Sequence, residues 1–88
     1  MKPIIFHDAD PVLAVKQAEA ISGHGQKWVR EVCRKYRIAQ QVDRNSSIRI
    51  HAPAFRMVIH GDFETLERLR SGDRSDPDVI QYFEISRR

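Results

Sequence analysis

Residues 16–59 read KQAEAISGHGQKWVREVCRKYRIAQQVDRNSSIRIHAPAFRMVI, and this stretch decides the fold. Gly23-His24-Gly25 divides it. Gly23 takes the left-handed conformation that ends a helix at little steric cost, so a helix is expected to stop there and another to begin just after. Upstream, Asp10-Pro11 pairs a capping residue with Pro at the first helical position. Val12, Leu13, Val15, Ala18 and Ile21 then supply an apolar face running to Ser22. Downstream, Val29, Val32, Cys33 and Tyr36 recur at spacings of three, one and three, which is one stripe of a helix over 26–36. The other side of that helix carries Gln26, Lys27, Arg30, Arg34, Lys35 and Arg37, with Glu31 as its single acid.

After the second helix the pattern changes period. Ile38 to Val42 is β-compatible, Asp43-Arg44-Asn45-Ser46-Ser47 is a turn by composition, and Ile48-Arg49-Ile50 alternates apolar, basic, apolar. The two runs predict a hairpin with Arg44 at its tip and Arg49 on its outward face. A third helix is expected from Pro53, carrying Phe55, Val58 and Ile59 and stopping at Gly61. The layout is helix, tight turn, basic helix and β-hairpin wing.

The flanks are simpler. Ile4-Ile5-Phe6 is a short apolar run that could pack on the core, pair with a wing strand or dock on a neighbouring molecule. Asp62 caps a fourth helix with Phe63, Leu66 and Leu69 on one side, and Gly72 closes it. Asp76-Pro77 repeats the cap-and-Pro start for a last helix, with Val79, Ile80 and Phe83 as its apolar side. His60-Gly61-Asp62 reads as a helix end followed by a cap. The expected fold is mainly α with a small β-hairpin. It is expected to form a single winged helix–turn–helix domain over 1–88, with a core at 11–61 and a C-terminal helical extension at 62–88.

The composition agrees with a small globular domain: of 88 residues, 41% are hydrophobic and 31% charged. The N-terminus lacks a signal pattern and no run is long enough to span a membrane, so a cytoplasmic protein is expected, nucleoid-associated if bacterial. A lone cysteine, Cys33, permits no intrachain disulfide and suits a reducing compartment. The net charge of +3 is unevenly spread. Residues 25–60 carry eight Lys and Arg against Glu31 and Asp43, while residues 61–88 carry five Arg against seven acids. A basic middle between mildly acidic ends is a polarity suited to a polyanion.

The basic second helix is the main functional signal. Lining one face with like charges costs self-repulsion that a bound polyanion removes. The first residues of such a helix face base edges in a major groove, which makes Gln26, Lys27 and Arg30 the candidate readers and Arg34, Lys35 and Arg37 the phosphate contacts. Arg44, Asn45, Ser46 and Arg49 of the wing would meet a minor groove or the backbone. The ordinary alternatives are a solvated basic face and a plain polar hairpin. Trp28 lies off the apolar stripe and reads as a boundary core residue. His7, His24, His51 and His60 are scattered without metal-ligand spacing, and Cys33 falls on the buried stripe as a core thiol. Neither catalysis nor a cofactor is expected.

Val15-Lys16-Gln17-Ala18-Glu19-Ala20-Ile21-Ser22-Gly23, Gln26-Lys27-Trp28-Val29-Arg30, Ser47-Ile48-Arg49-Ile50 and the helix with Ala54-Phe55 together resemble the excisionase-like, MerR-related winged helix–turn–helix family. The resemblance covers about half the chain. It implies a recognition helix in the major groove and a wing on the adjacent minor groove, with those roles on Gln26, Lys27, Arg30, Arg34, Arg44 and Arg49. The family includes recombination directionality factors and small transcriptional regulators. Absence of a long dimerising helix or effector domain favours the first branch. That branch implies a protein that lines up on tandem sites in double-stranded DNA, bends it, self-associates there, and biases a site-specific integrase (a tyrosine recombinase) toward excision of a mobile element. A transcriptional regulator using the same surface is the nearest alternative, and a protein-interaction or antitoxin-like module is the next. No membrane or small-molecule partner is expected.

Overall fold

The computed structural model describes residues 1–41 and 47–88. Its architecture, among the described residues, is five helices and one three-stranded antiparallel sheet: β1 (Val12–Leu13), α1 (Val15–Ser22), α2 (Gln26–Tyr36), β2 (Ala39–Gln40), β3 (Arg49–His51), α3 (Ala52–Ile59), α4 (Phe63–Arg70) and α5 (Pro77–Ser86). The order in the sheet is β1-β3-β2, so the strand after the polar loop is the central one. Leu13 and Ala39 flank Ile50 in register, forming an inward row around a fully buried isoleucine. Gln40 and Arg49 form the outward row. No helix among the described residues is long and apolar enough to cross a membrane.

The first departure from the sequence reading lies at Asp10-Pro11. That pair does not start a helix. Val12 and Leu13 pair with His51 and Ile50 as β1, and the Pro11 carbonyl accepts from Ala52 N–H at 3.0 Å. Helix α1 starts at Val15, four residues after Pro11. The carboxamide of Gln17 reaches back to accept from Ala14 N–H at 2.8 Å, which satisfies the chain entry without a capping hydroxyl or carboxylate. Gly23 ends α1 at φ +74, as its type predicts, and donates to Glu19 O.

Helix α2 buries Val29 and Cys33 and half-buries Val32 and Tyr36, the stripe expected from the spacing. It packs on α1, whose Ala18 is fully buried. Burial pushes the Cys33 thiol up to about 11, against the opposing charge of Arg30. Helix α2 ends on Arg37, a non-glycine residue at φ +53. Arg70 of α4 steadies this end. Its Nη2 donates to Tyr36 O at 2.9 Å, Nη1 donates to Lys2 O, and Nε pairs with Glu67 at 3.1 Å. Ile4 N–H bonds Arg37 O at 3.0 Å, so the N-terminal segment is laced to the end of α2.

Helix α3 is central, with six of its eight residues buried. Helices α4 and α5 both pack on it, and Leu66, Leu69, Val79 and Phe83 belong to the same apolar cluster as Val29, Ile38, Ile50 and Phe55. Residues 62–88 therefore share the core formed by the earlier elements. Asp62 caps α4 by accepting from Thr65 N–H and hydroxyl, and also accepts from Tyr82 of α5 at 3.1 Å. Asp76 caps α5 by accepting from the N–H groups of Asp78 and Val79. Three positions expected on apolar faces are exposed: Val12 on β1, Ile80 on α5, and Phe63, which stacks on Tyr36 at 5.3 Å. The N-terminal run splits as well, with Ile4 in the core and Ile5 72% exposed.

Asp10 has another duty. Its Oδ2 lies 2.8 Å from His51 Nε2, and Arg74 grips both its oxygens at 2.8 and 2.9 Å. His7 N–H adds a third donor. His51 is fully buried between the edges of the Phe6 and Phe83 rings, and its Nδ1 accepts from Ala54 N–H at 3.3 Å as the N-cap of α3. A nitrogen that accepts carries no proton, so the neutral ring donates from Nε2 to Asp10. Burial pushes the His51 pKa down and outweighs the Asp10 carboxylate. At Asp10, burial is the largest influence and raises the pKa. The bonds from Arg74, His7 N–H and His51 overcome it and hold the carboxyl below the usual range. This clasp joins the residues before β1, the start of α3 and the α4–α5 loop.

Candidate nucleic-acid interface

Helical geometry gathers the predicted residues of α2. At about 100° per residue, Gln26, Arg37, Arg30, Arg34 and Lys27 fall within roughly a third of the circumference, an arc that begins beside the buried Cys33 and turns away from Val29. All five side chains are exposed. Lys35 is also exposed but stands about 80° beyond that arc and lies 5.3 Å from the Tyr36 ring. Arg49 is exposed on β3 and reaches Gln40 Oε1 at 3.5 Å. Arg30 and Arg34 share one shallow depression with Ala39, Gln40, Gln41 and Ile48, so the basic helix and the outward side of the β2–β3 pair make a continuous surface. Arg44, Asn45 and Ser46, together with Val42 at the expected strand end, lie outside the described residues.

Ion pairing differs between the basic helix and the α4 region. Among the described residues, no ion pair involves Lys27, Arg30, Arg34, Lys35, Arg37 or Arg49. By contrast Arg68 meets Glu64, Asp76 and Asp78, Arg70 meets Glu67, and Arg74 meets Asp10. The cations of α2 and β3 thus face outward uncompensated, while those of α4 and the loop after it are neutralised within the fold. The start of α2 adds to this field. Gly25 offers no side-chain cap and the first turn has no acid, so its free N–H groups keep the positive end of the helix open.

Two contributors were not singled out from the sequence. His24 stacks on Trp28 at 3.8 Å with an interplanar angle of 15°, extending the exposed surface across the turn before α2. Their i, i+4 spacing was the available signal. Gln40 lies beside Arg49, and the alternation Ile38-Ala39-Gln40 placed it outward. Trp28 itself is half-buried against the core, the boundary position expected for it.

No protein-family profile matches the sequence, and neither a curated protein nor a solved structure matches it.

Proposed function

We propose that this chain is a small winged helix–turn–helix DNA-binding protein that acts architecturally, as an excisionase does, without chemistry of its own. Helix α2, about 16 Å long, enters the major groove of double-stranded DNA. Arg49 and the 42–46 segment between β2 and β3 address the neighbouring minor groove or backbone. Arg34, Lys35 and Arg37 hold phosphates and the first turn of α2, with Lys27, faces the bases. The observation that carries this reading is that, among the described residues, no Lys or Arg on α2 and β3 forms an ion pair, whereas Arg68, Arg70 and Arg74 all do. Solvated arginines on a fold rich in carboxylates readily find partners. Leaving six cations, four of them arginines, without an ion pair among the described residues fits an external polyanion.

The excision role adds tandem binding sites, self-association on DNA and an integrase partner to this surface. The test is fluorescence anisotropy on duplex DNA across a salt series. Four to six phosphate contacts give a log–log slope of about −4 to −5. Replacing Arg34, Lys35 and Arg37 together with Ala flattens it by about 3. Footprints on direct repeats beside a recombination site, with sigmoidal binding, support the excisionase reading. One palindromic operator at a promoter supports a regulator instead. Absence of duplex binding at low salt removes the DNA reading and favours a protein partner.

A further inference from the structure

We infer that Gln26 does not read a base but positions Arg30, which reads a guanine through the free end of its guanidinium. This rests on the DNA-binding reading above and assigns duties within it. The Gln26 carboxamide, oriented so that oxygen rather than nitrogen faces the guanidinium, accepts from Arg30 Nε at 2.9 Å and from Nη2 at 3.1 Å. The opposite orientation would set donors against donors, so hydrogen bonding fixes this one. The two residues are one turn apart on the exposed face of α2, the spacing at which helix neighbours meet.

The inventory of donors and acceptors then divides the roles. Adenine recognition by glutamine needs the carboxamide oxygen to accept from the exocyclic amine while the nitrogen donates to N7. Here both lone pairs of that oxygen are engaged by Arg30. Arginine keeps a second edge. With Nε and one Nη2 hydrogen committed to Gln26, the remaining Nη2 hydrogen and the adjacent Nη1 hydrogen form a parallel pair of donors. That pair matches guanine O6 and N7. Holding the side edge also restricts a long, rotamer-rich side chain before the DNA arrives, which favours one geometry over a mobile cation that settles on any phosphate.

The experiment is selection of preferred duplexes from a randomised pool by the full chain, followed by anisotropy competitions with single-base changes. The wild-type chain is expected to show one guanine preferred about tenfold over other bases. Arg30→Ala and Arg30→Lys lose that preference. Gln26→Ala cuts it to threefold or less with the salt slope unchanged, and Gln26→Glu, which presents an acceptor to the same edge of Arg30, keeps it. A Gln26→Ala variant that retains the guanine preference overturns the proposal, as does one that loses an adenine preference at a neighbouring position. Wild-type protein that binds no duplex at low salt overturns the DNA reading itself, an outcome distinct from either.

Discussion

Replacing Arg37 with Gly is expected to stabilise the fold and weaken DNA binding at the same time. Arg37 closes α2 at φ +53 and ψ +50, and it is the one described non-glycine residue with positive φ. A side chain in that region costs about 1–2 kcal/mol through the clash of Cβ with the backbone, which glycine avoids. Glycine gives back about 0.5–1 kcal/mol in unfolded-state entropy. It also forfeits a cation at a helix C-terminus, a small effect largely screened at physiological salt. The balance is about 0.5 kcal/mol of stabilisation, or roughly 2–4 °C in Tm for a chain of this size. The backbone bonds from Arg37 N–H to Cys33 O and from Ile4 N–H to Arg37 O do not need the side chain. Arg37→Ala separates the effects, because it removes the charge and keeps the Cβ, so its Tm should not rise. On DNA both variants should lose one phosphate contact and shallow the salt slope by about 0.9. Calorimetric melts at 0.15 M salt and the anisotropy series read the two quantities. A lower Tm for Arg37→Gly would refute the strain argument, and an unchanged slope would take Arg37 out of the interface.

Arg74→Ala leaves the nearly buried Asp10 carboxylate with His51 and the His7 N–H. With Arg74 itself a quarter exposed, the expected cost is about 2–3 kcal/mol in urea unfolding. Stability should fall on the acid side in two stages. His51 stays neutral in the fold while the unfolded chain takes up its proton, so stability drops as pH falls below about 6.5, with a limiting slope near 1.4 kcal/mol per pH unit. Asp10, whose pKa is held down in the fold, adds a second loss as pH falls below about 4. His51→Gln should flatten the first stage whatever it does to absolute stability, and a slope that persists would place the proton elsewhere. Cys33, with its thiol pushed up to about 11, should react with iodoacetamide at pH 8 at least ~100-fold more slowly in the native protein than in urea.

How much of this was readable in advance follows the range of the interactions involved. The bounds of α2, the stop at Gly23, the caps at Asp62 and Asp76 and the exposed basic arc all depend on neighbours within four residues, and each was visible in the sequence. The β1 strand was not, because two residues carry no period. Val12 and Leu13 become a strand through pairing with residues nearly forty positions away. The site divides in the same way: the α2 cations are local and predictable, whereas their lack of ion pairs among the described residues depends on where the fold sets the carboxylates of Asp10, Glu64, Glu67, Asp76 and Asp78.

Asp10-Pro11 and Asp76-Pro77 make the point within one chain. Both pairs offer the same helix-start signal, a capping carboxylate followed by Pro at the first helical position. Asp76 uses its Oδ1 on the N–H groups of Asp78 and Val79, and α5 begins at Pro77. The carboxylate of Asp10 is held by Arg74 and His51, from 64 and 41 positions away, and the backbone after it runs on into β1. A cap contributes about 1 kcal/mol. A nearly buried carboxylate gripped by a guanidinium and an imidazole is a larger stake, since removing Arg74 leaves a carboxylate in the interior without its counter-charge. Given both options for one side chain, the fold takes the stronger. His51 gains a second use from the arrangement, because the ring that donates to Asp10 through Nε2 is thereby left with Nδ1 free to cap α3. One tautomer thus joins the central strand of the sheet to the central helix.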